Sequence, residues 1–197
     1  MLGRLAPLLS SSKGEWYTPP EVIERAIRVL GAIDLDPASD RLAAASIPAA
    51  RYYTQEQDGL ALPWAGRVWL NPPYGRVIGL WVAKLVAEYE AGRVTAAIAL
   101  LPARPDTRWW QRLAGCPICF VRGRLRFSGQ GSGAPFPSAV AALGCELGAF
   151  ASAFGELGGI WRLVAGELGT GRQFALPGCL VAGGCESLGL AQPRPAR

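Results

Sequence analysis

The chain has 197 residues, enough for one domain with a sizeable core, and half of them are hydrophobic, which excludes a disordered or fibrous protein. No apolar run reaches the roughly eighteen residues of a membrane-spanning helix, and the opening MLGRLAPLLSSSKG lacks a signal-type apolar core, so a cytoplasmic protein is expected. The net charge of +5 is localised: between residues 104 and 126 six arginines face one acid, Asp106, interleaved with Trp109, Trp110, Phe120 and Phe127, as on nucleic-acid-binding surfaces or an ordinary solvated face.

Residues 1–14 read as a flexible arm, 15–167 as the domain and 168–197 as a Gly/Pro/Ala-rich tail. The first helix is expected over 19–30, with Thr18 as N-cap, Pro19 as first helical residue, Glu21 completing a capping box and Gly31 as the stop. A short strand over 32–35 ends at Asp36-Pro37, and a second covers 51–54 after a small-residue segment. Asp58-Gly59 marks a turn, and 67–70 is a strand ending at Asn71. Residues 77–91 form a helix burying Ile78, Trp81, Val82, Leu85, Val86 and Tyr89. The unbroken apolar run 95–101 fits a parallel strand covered on both faces. A short helix over 106–113, a hairpin-like pair beginning at 118–127, a loop over 128–137, a strand over 138–143 and a helix then strand over 146–165 complete the chain. The alternation predicts an α/β fold, mostly a parallel sheet with helices on both faces, in which ligands bind at the carboxyl ends of the strands. Asp36, Asn71 and Arg104 all fall at such ends.

VWLNPPYGR, residues 68–76, is the most informative stretch. A residue before proline is pushed into extended conformations, and proline has no N–H. Asn71-Pro72-Pro73 is therefore a stiff set of acceptors with few competing donors, and Tyr74 adds a π-face. An exocyclic amine on a planar heterocycle suits both. The cysteines offer less. An odd count of five argues against a disulfide framework, and Cys116-Pro-Ile-Cys119 has no histidine or second CxxC to complete a metal knuckle, so no metal is expected.

In order, EWYTPPEVI, IDLDPAS, RYYTQEQDGL, VWLNPPYG, ALLPARPDTRWW, FVRGRLRF and APFPSA resemble the Dam-like phage and prophage DNA N6-adenine methyltransferases, over about residues 14–164. The resemblance implies a Rossmann-like class I methyltransferase fold, S-adenosylmethionine as cofactor and double-stranded DNA with a flipped adenine as substrate. It implies that Trp16, Tyr17 and Thr18 bind the cofactor, its carboxylate resting at Thr18. Asp36 with Pro37 would take the ammonium group, or Asp36 would simply cap a turn. Asp58 would accept from the cofactor's adenine amine, or close an Asp-Gly turn. Ala38 and Ser39 stand where glycines are usual, and Asp40 and Glu56 are both candidates for the ribose. For catalysis, Asn71 and the Pro72 carbonyl, held by Pro73, would accept from the target amine while Tyr74 stacks on the base, with Phe127 closing the sandwich. Arg122, Arg124 and Arg126, alternating on one strand face, would meet phosphate, and Arg104 would lie near the flipped base. The rival readings are methylation of cytosine N4, an RNA base or a protein glutamine, and a DNA-binding module of weak catalysis.

Overall fold

The computed structural model describes residues 17–128 and 132–162. Seven strands form one sheet: β1 (Ile33–Asp36), β2 (Ala49–Tyr52), β3 (Gly66–Leu70), β4 (Val94–Pro102), β5 (Ile118–Val121), β6 (Ser138–Leu143) and β7 (Gly158–Trp161). Their order is β2-β1-β3-β4-β6-β5-β7. The helices are α1 (Pro20–Leu30), α2 (Arg41–Ser46), α3 (Ile78–Glu90) and α4 (Leu147–Phe154).

The pairings of β1 with β2, β1 with β3 and β3 with β4 are parallel, whereas β4–β6, β6–β5 and β5–β7 are antiparallel. The expectation of a mostly parallel sheet is thus corrected to a mixed one. The apolar run in β4 reported burial correctly but could not report direction, since its outer neighbour β6 is equally apolar and runs the other way.

Alternation along the central strands divides the core. Val68, Leu70, Ala97, Ala99 and Leu101 pack under α3 with Ile78, Trp81, Val82, Leu85 and Val86. Trp69, Ile98 and Leu100 face the other way, against Val22, Ile23 and Ala26 of α1 and Phe150 and Phe154 of α4. Helices therefore cover both faces. On α3 the sequence pattern placed Tyr89 inside, but Glu88 is the more buried residue, its carboxylate held by Lys84 at 3.3 Å and by Arg93.

A clamp fixes β1 against β3. Arg67 donates from Nε and from its backbone N–H to Asp34 Oδ2 at 2.9 and 2.8 Å, and from Nη2 to Oδ1 at 2.8 Å. These bonds hold the Asp34 carboxyl down at about 2. Gly66 beside it has φ 78°, and a Cβ there would stand 2.6 Å from Asp34 Oδ2, so glycine is required twice over.

Three local expectations are corrected. Helix α1 begins at Pro20, with Pro19 as its N-cap at ψ 141° and no side-chain cap, rather than with Thr18 as cap. Both Thr18 and Pro19 precede a proline and are excluded from helical geometry by the same rule that stiffens Asn71-Pro72-Pro73. Residues 106–113 yield only a 3-10 turn, Trp110–Leu113. Strand β5 stops at Val121, because Gly123 takes φ 72° and 124–127 have no regular structure. Arg122, Arg124 and Arg126 therefore do not share a strand face, although all three are exposed while Leu125 and Phe127 are buried. The ends of the expected domain, 15–167, and both flanking segments lie largely outside the described residues.

Candidate active site

The carboxyl ends of β1 and β3 lie side by side, because β1 pairs with β3 through Leu35 and Val68. Asp36 closes β1 and Asn71 follows Leu70 of β3. Between them opens a cleft of about 400 Å³. Tyr17, Thr18, Asp36, Pro37, Asp58, Asn71, Pro72, Pro73 and Tyr74 all line it. The structure thus gathers nine sequence-predicted residues at one place. Trp16, expected beside them, lies outside the described residues.

Asp36 is 2 % exposed, and its surroundings are sparse for a carboxylate. Burial pushes it up from 3.8 to about 7, with Asp40 adding to the rise, against the opposing pull of the Ser39 hydroxyl and the Ala38 N–H, which lies 3.3 Å from Oδ1. The loop after it is held by its own backbone. Tyr53 N–H donates to the Asp36 carbonyl and Ser39 N–H to the Tyr53 carbonyl, both at 2.9 Å. A group carrying positive charge would complete this carboxyl.

Close approach comes from Gly59, not from a glycine-rich loop after β1. A Cβ on Gly59 would stand 2.0 Å from the Pro37 carbonyl oxygen and 3.2 Å from Trp81 Cη2. The Asp58-Gly59 turn is therefore pressed onto the Asp36-Pro37 loop, with Trp81 of α3 beneath. Asp58 has φ 52°, and its Oδ1 accepts from Leu60 N–H at 3.2 Å, so it does make an Asp-Gly turn while also lining the cleft. Asp40 caps α2 through Oδ1, bonded to the N–H groups of Leu42 at 2.7 Å and Ala43 at 2.8 Å, and its Oδ2 accepts from the Tyr17 hydroxyl at 3.1 Å. Both Asp40 and Glu56 face the cleft.

At the Asn71 end, Asn71 Nδ2 donates to Thr18 Oγ1 at 3.2 Å. Thr18 thus serves Asn71 rather than α1. The Asn71 Oδ1 atom lies below the surface. The Tyr74 hydroxyl donates to the Leu100 carbonyl at 3.3 Å, and burial holds its phenol above the ordinary range. Phe127 and Phe136 meet the Tyr74 ring edge-on, at 6.4 and 5.3 Å between centroids. Phe127 is 1 % exposed. It is a core residue that props Tyr74, which corrects the expectation that Phe127 closes a sandwich over a base.

Arg104, Arg122, Arg124 and Arg126 are exposed and lie outside the cleft lining, Arg104 two residues beyond the end of β4. Trp110 is core, stacked on Phe120 at 5.9 Å, while Trp109 is half-buried. Cys119 is buried with its thiol pushed up to about 11, and among the described residues no three ligating side chains gather around a point. Sequence reasoning gave no site role to Tyr53 or Trp81, which also line the cleft. Trp81 sits on the apolar stripe of α3, where the pattern says core, and no sequence signal separates core from cleft floor there.

The comparison that decides the family covers most of this architecture. The family model described as DNA N-6-adenine-methyltransferase (Dam) matches residues 6–142. The chain belongs to the Dam family. The matched stretch includes every lining residue of the cleft and ends within β6. At the level of this family, the activity is DNA adenine N6-methylation. A comparison with curated proteins finds no match.

Proposed function

We propose that this Dam-family protein is a site-specific DNA methyltransferase that uses S-adenosylmethionine and modifies N6 of an adenine turned out of the duplex. The observation that carries the reading is the shared cleft, in which a buried, cation-seeking carboxyl and the Asn71-Pro72-Pro73-Tyr74 acceptor set stand at adjacent strand ends. A Rossmann-like methyltransferase arrangement is the reading we adopt for this mixed sheet, in which β1–β5 run one way and β6 and β7 run the other.

The residues present fit the cofactor. Asp36 would bind its ammonium group, Thr18 and Tyr17 its carboxylate end, and Asp58 its adenine amine, with Pro37 and Gly59 shaping the wall. When bound, that cofactor supplies an electrophilic methyl group on a sulfonium centre. The chain's own work is on the nucleophile. An adenine amine is a poor one, since its lone pair is conjugated with the ring. Asn71 Oδ1 and the Pro72 carbonyl accept its two hydrogens, which draws the nitrogen toward tetrahedral geometry and frees the lone pair. Thr18 holds the amide plane through its 3.2 Å contact, and the prolines fix the carbonyl direction. Tyr74, anchored at Leu100 and propped by Phe127 and Phe136, presents its ring to the base. Orientation and exclusion of water, rather than a strong general base, account for the rate.

The test is transfer of a labelled methyl group from S-adenosylmethionine to native DNA, followed by nucleoside digestion. Label in N6-methyladenine, lost in Asn71→Ala, is the expected result. Label in N4-methylcytosine, or in RNA or protein instead of DNA, would overturn it.

A further inference from the structure

Trp64 lies between the Asp58-Gly59 turn and β3, is fully buried, and takes no part in lining the cleft. Its indole Nε1–H donates to the Gly59 carbonyl at 2.7 Å. A buried indole usually finds an acceptor, yet the Nε1 atoms of Trp69 and Trp81 are buried with none among the described residues. Burial alone therefore does not account for the bond at Trp64. The ring that makes it is fixed by α3. It stacks on Trp81 with centroids 5.9 Å apart and planes 28° apart, and Lys84 Nζ stands 5.5 Å from the Trp64 centroid. The turn it reaches is exposed at Asp58, whose φ of 52° is left-handed geometry that a residue with a Cβ keeps where its surroundings fix it. The other hydrogen bonds of Asp58 are local: its N–H to the Gln55 carbonyl at 3.2 Å, its carbonyl from Ala61 N–H at 2.8 Å, and its Oδ1 from Leu60 N–H at 3.2 Å.

We propose that Trp64 is a positioning residue that aims the Asp58 carboxylate and so sets the cleft's preference for a cofactor with an exocyclic amine. The inference rests on the assignment of Asp58 to the cofactor's adenine amine given above. The connection runs through one peptide plane. The Gly59 carbonyl, which accepts from Trp64, and the Leu60 N–H, which donates to Asp58 Oδ1, belong to the same rigid unit. Turning that plane away would orphan a buried indole N–H and release the carboxylate together. While the plane is held, Asp58 keeps one direction toward the cleft. A carboxylate accepts from an amine and repels a carbonyl oxygen in its place, so the discrimination depends on that direction. Trp64 touches no cofactor atom in this reading and acts only through the turn.

The test uses the full chain as parent, Trp64→Phe, and a variant with Trp64 replaced by benzothienylalanine, a ring of the same shape with sulfur in place of N–H. Phe154→Leu, a truncation in the other half of the core, reports loss of stability alone. For each, kcat and KM for S-adenosylmethionine are measured on native DNA, with melting temperature. Affinities are measured for S-adenosylhomocysteine and for S-inosylhomocysteine, in which a carbonyl replaces the amine. The parent should prefer the amine by about tenfold or more. Both Trp64 variants should raise KM by about fivefold and narrow the preference by a similar factor, the worth of one hydrogen bond, with kcat within about twofold. The benzothienylalanine variant should also melt within a few degrees of the parent. Parent-like KM and preference in that variant, or shifts as large in Phe154→Leu, would overturn the role of Trp64. A parent that binds the two homocysteine compounds equally, or binds neither, would instead overturn the assignment of Asp58, and the role of Trp64 with it.

Discussion

Asp36→Asn should stabilise the cofactor-free protein and disable it. The carboxyl of Asp36 sits at about 7 in the folded chain against 3.8 for an ordinary aspartate. A folded-state value above the unfolded one means that the native state holds the extra proton between those two limits. Stability from this group is therefore fully present below pH 3.8 and is lost as pH rises through about 7. A span of about three pH units corresponds to roughly 4 kcal/mol, of which somewhat more than half falls between pH 5 and pH 8. Asparagine keeps the shape and does not titrate. The difference in melting temperature between variant and parent should widen in the variant's favour by roughly 5–10 °C from pH 5 to pH 8, at the usual few degrees per kcal/mol for a protein of this size. Thermal unfolding without cofactor, monitored at both pH values, reads it directly. In the same samples the parent should bind S-adenosylmethionine more tightly as pH rises to about 7, since the ammonium group needs the ionised carboxylate, and the variant should bind weakly at every pH. A gap that stays constant with pH would show that Asp36 is already ionised at pH 5, and the argument for a cation-seeking carboxyl would fail.

Asn71→Ala should abolish methyl transfer while leaving cofactor affinity and melting temperature nearly unchanged; calorimetry and the labelled-methyl assay separate the two, and activity within a few-fold of the parent would refute its role. Gly59→Ala places a Cβ 2.0 Å from the Pro37 carbonyl oxygen. It should cost about 1–3 kcal/mol by overpacking and weaken cofactor binding at the same time, which denaturant titration and calorimetry would show. Arg124→Ala should reduce the slope of log DNA affinity against log salt by about one if this exposed side chain meets phosphate. Equal slopes would mark it as merely solvated.

The sequence singled out residues that the fold gathers in one cleft more successfully than it described the sheet. Asp-Pro, Asp-Gly and Asn-Pro-Pro-Tyr are punctuation whose backbone consequences are local, and the fold brought all three to one cleft. Strand direction is not local. The apolar residues of β4 and β6 look alike whether the partner runs up or down, so the antiparallel half could not be read from them. Thr18 misled for a different reason. Its spacing to Glu21 imitates a capping box, yet two prolines exclude it from the helix and leave its hydroxyl for Asn71. The role of Trp81 was hidden because a tryptophan on an apolar stripe has one signature whether it faces core or cleft.

The antiparallel placement of β6 also has a bearing on synthesis. All parallel pairings of the sheet are complete once residue 102 has formed, and with them the cleft between Asp36 and Asn71. The free side of β4, however, has no neighbour until residues 138–143 arrive. During that interval a nine-residue, largely apolar strand presents open N–H and C=O groups. A nascent chain is thus most prone to pair with another copy after this cleft has taken shape and before its sheet has closed.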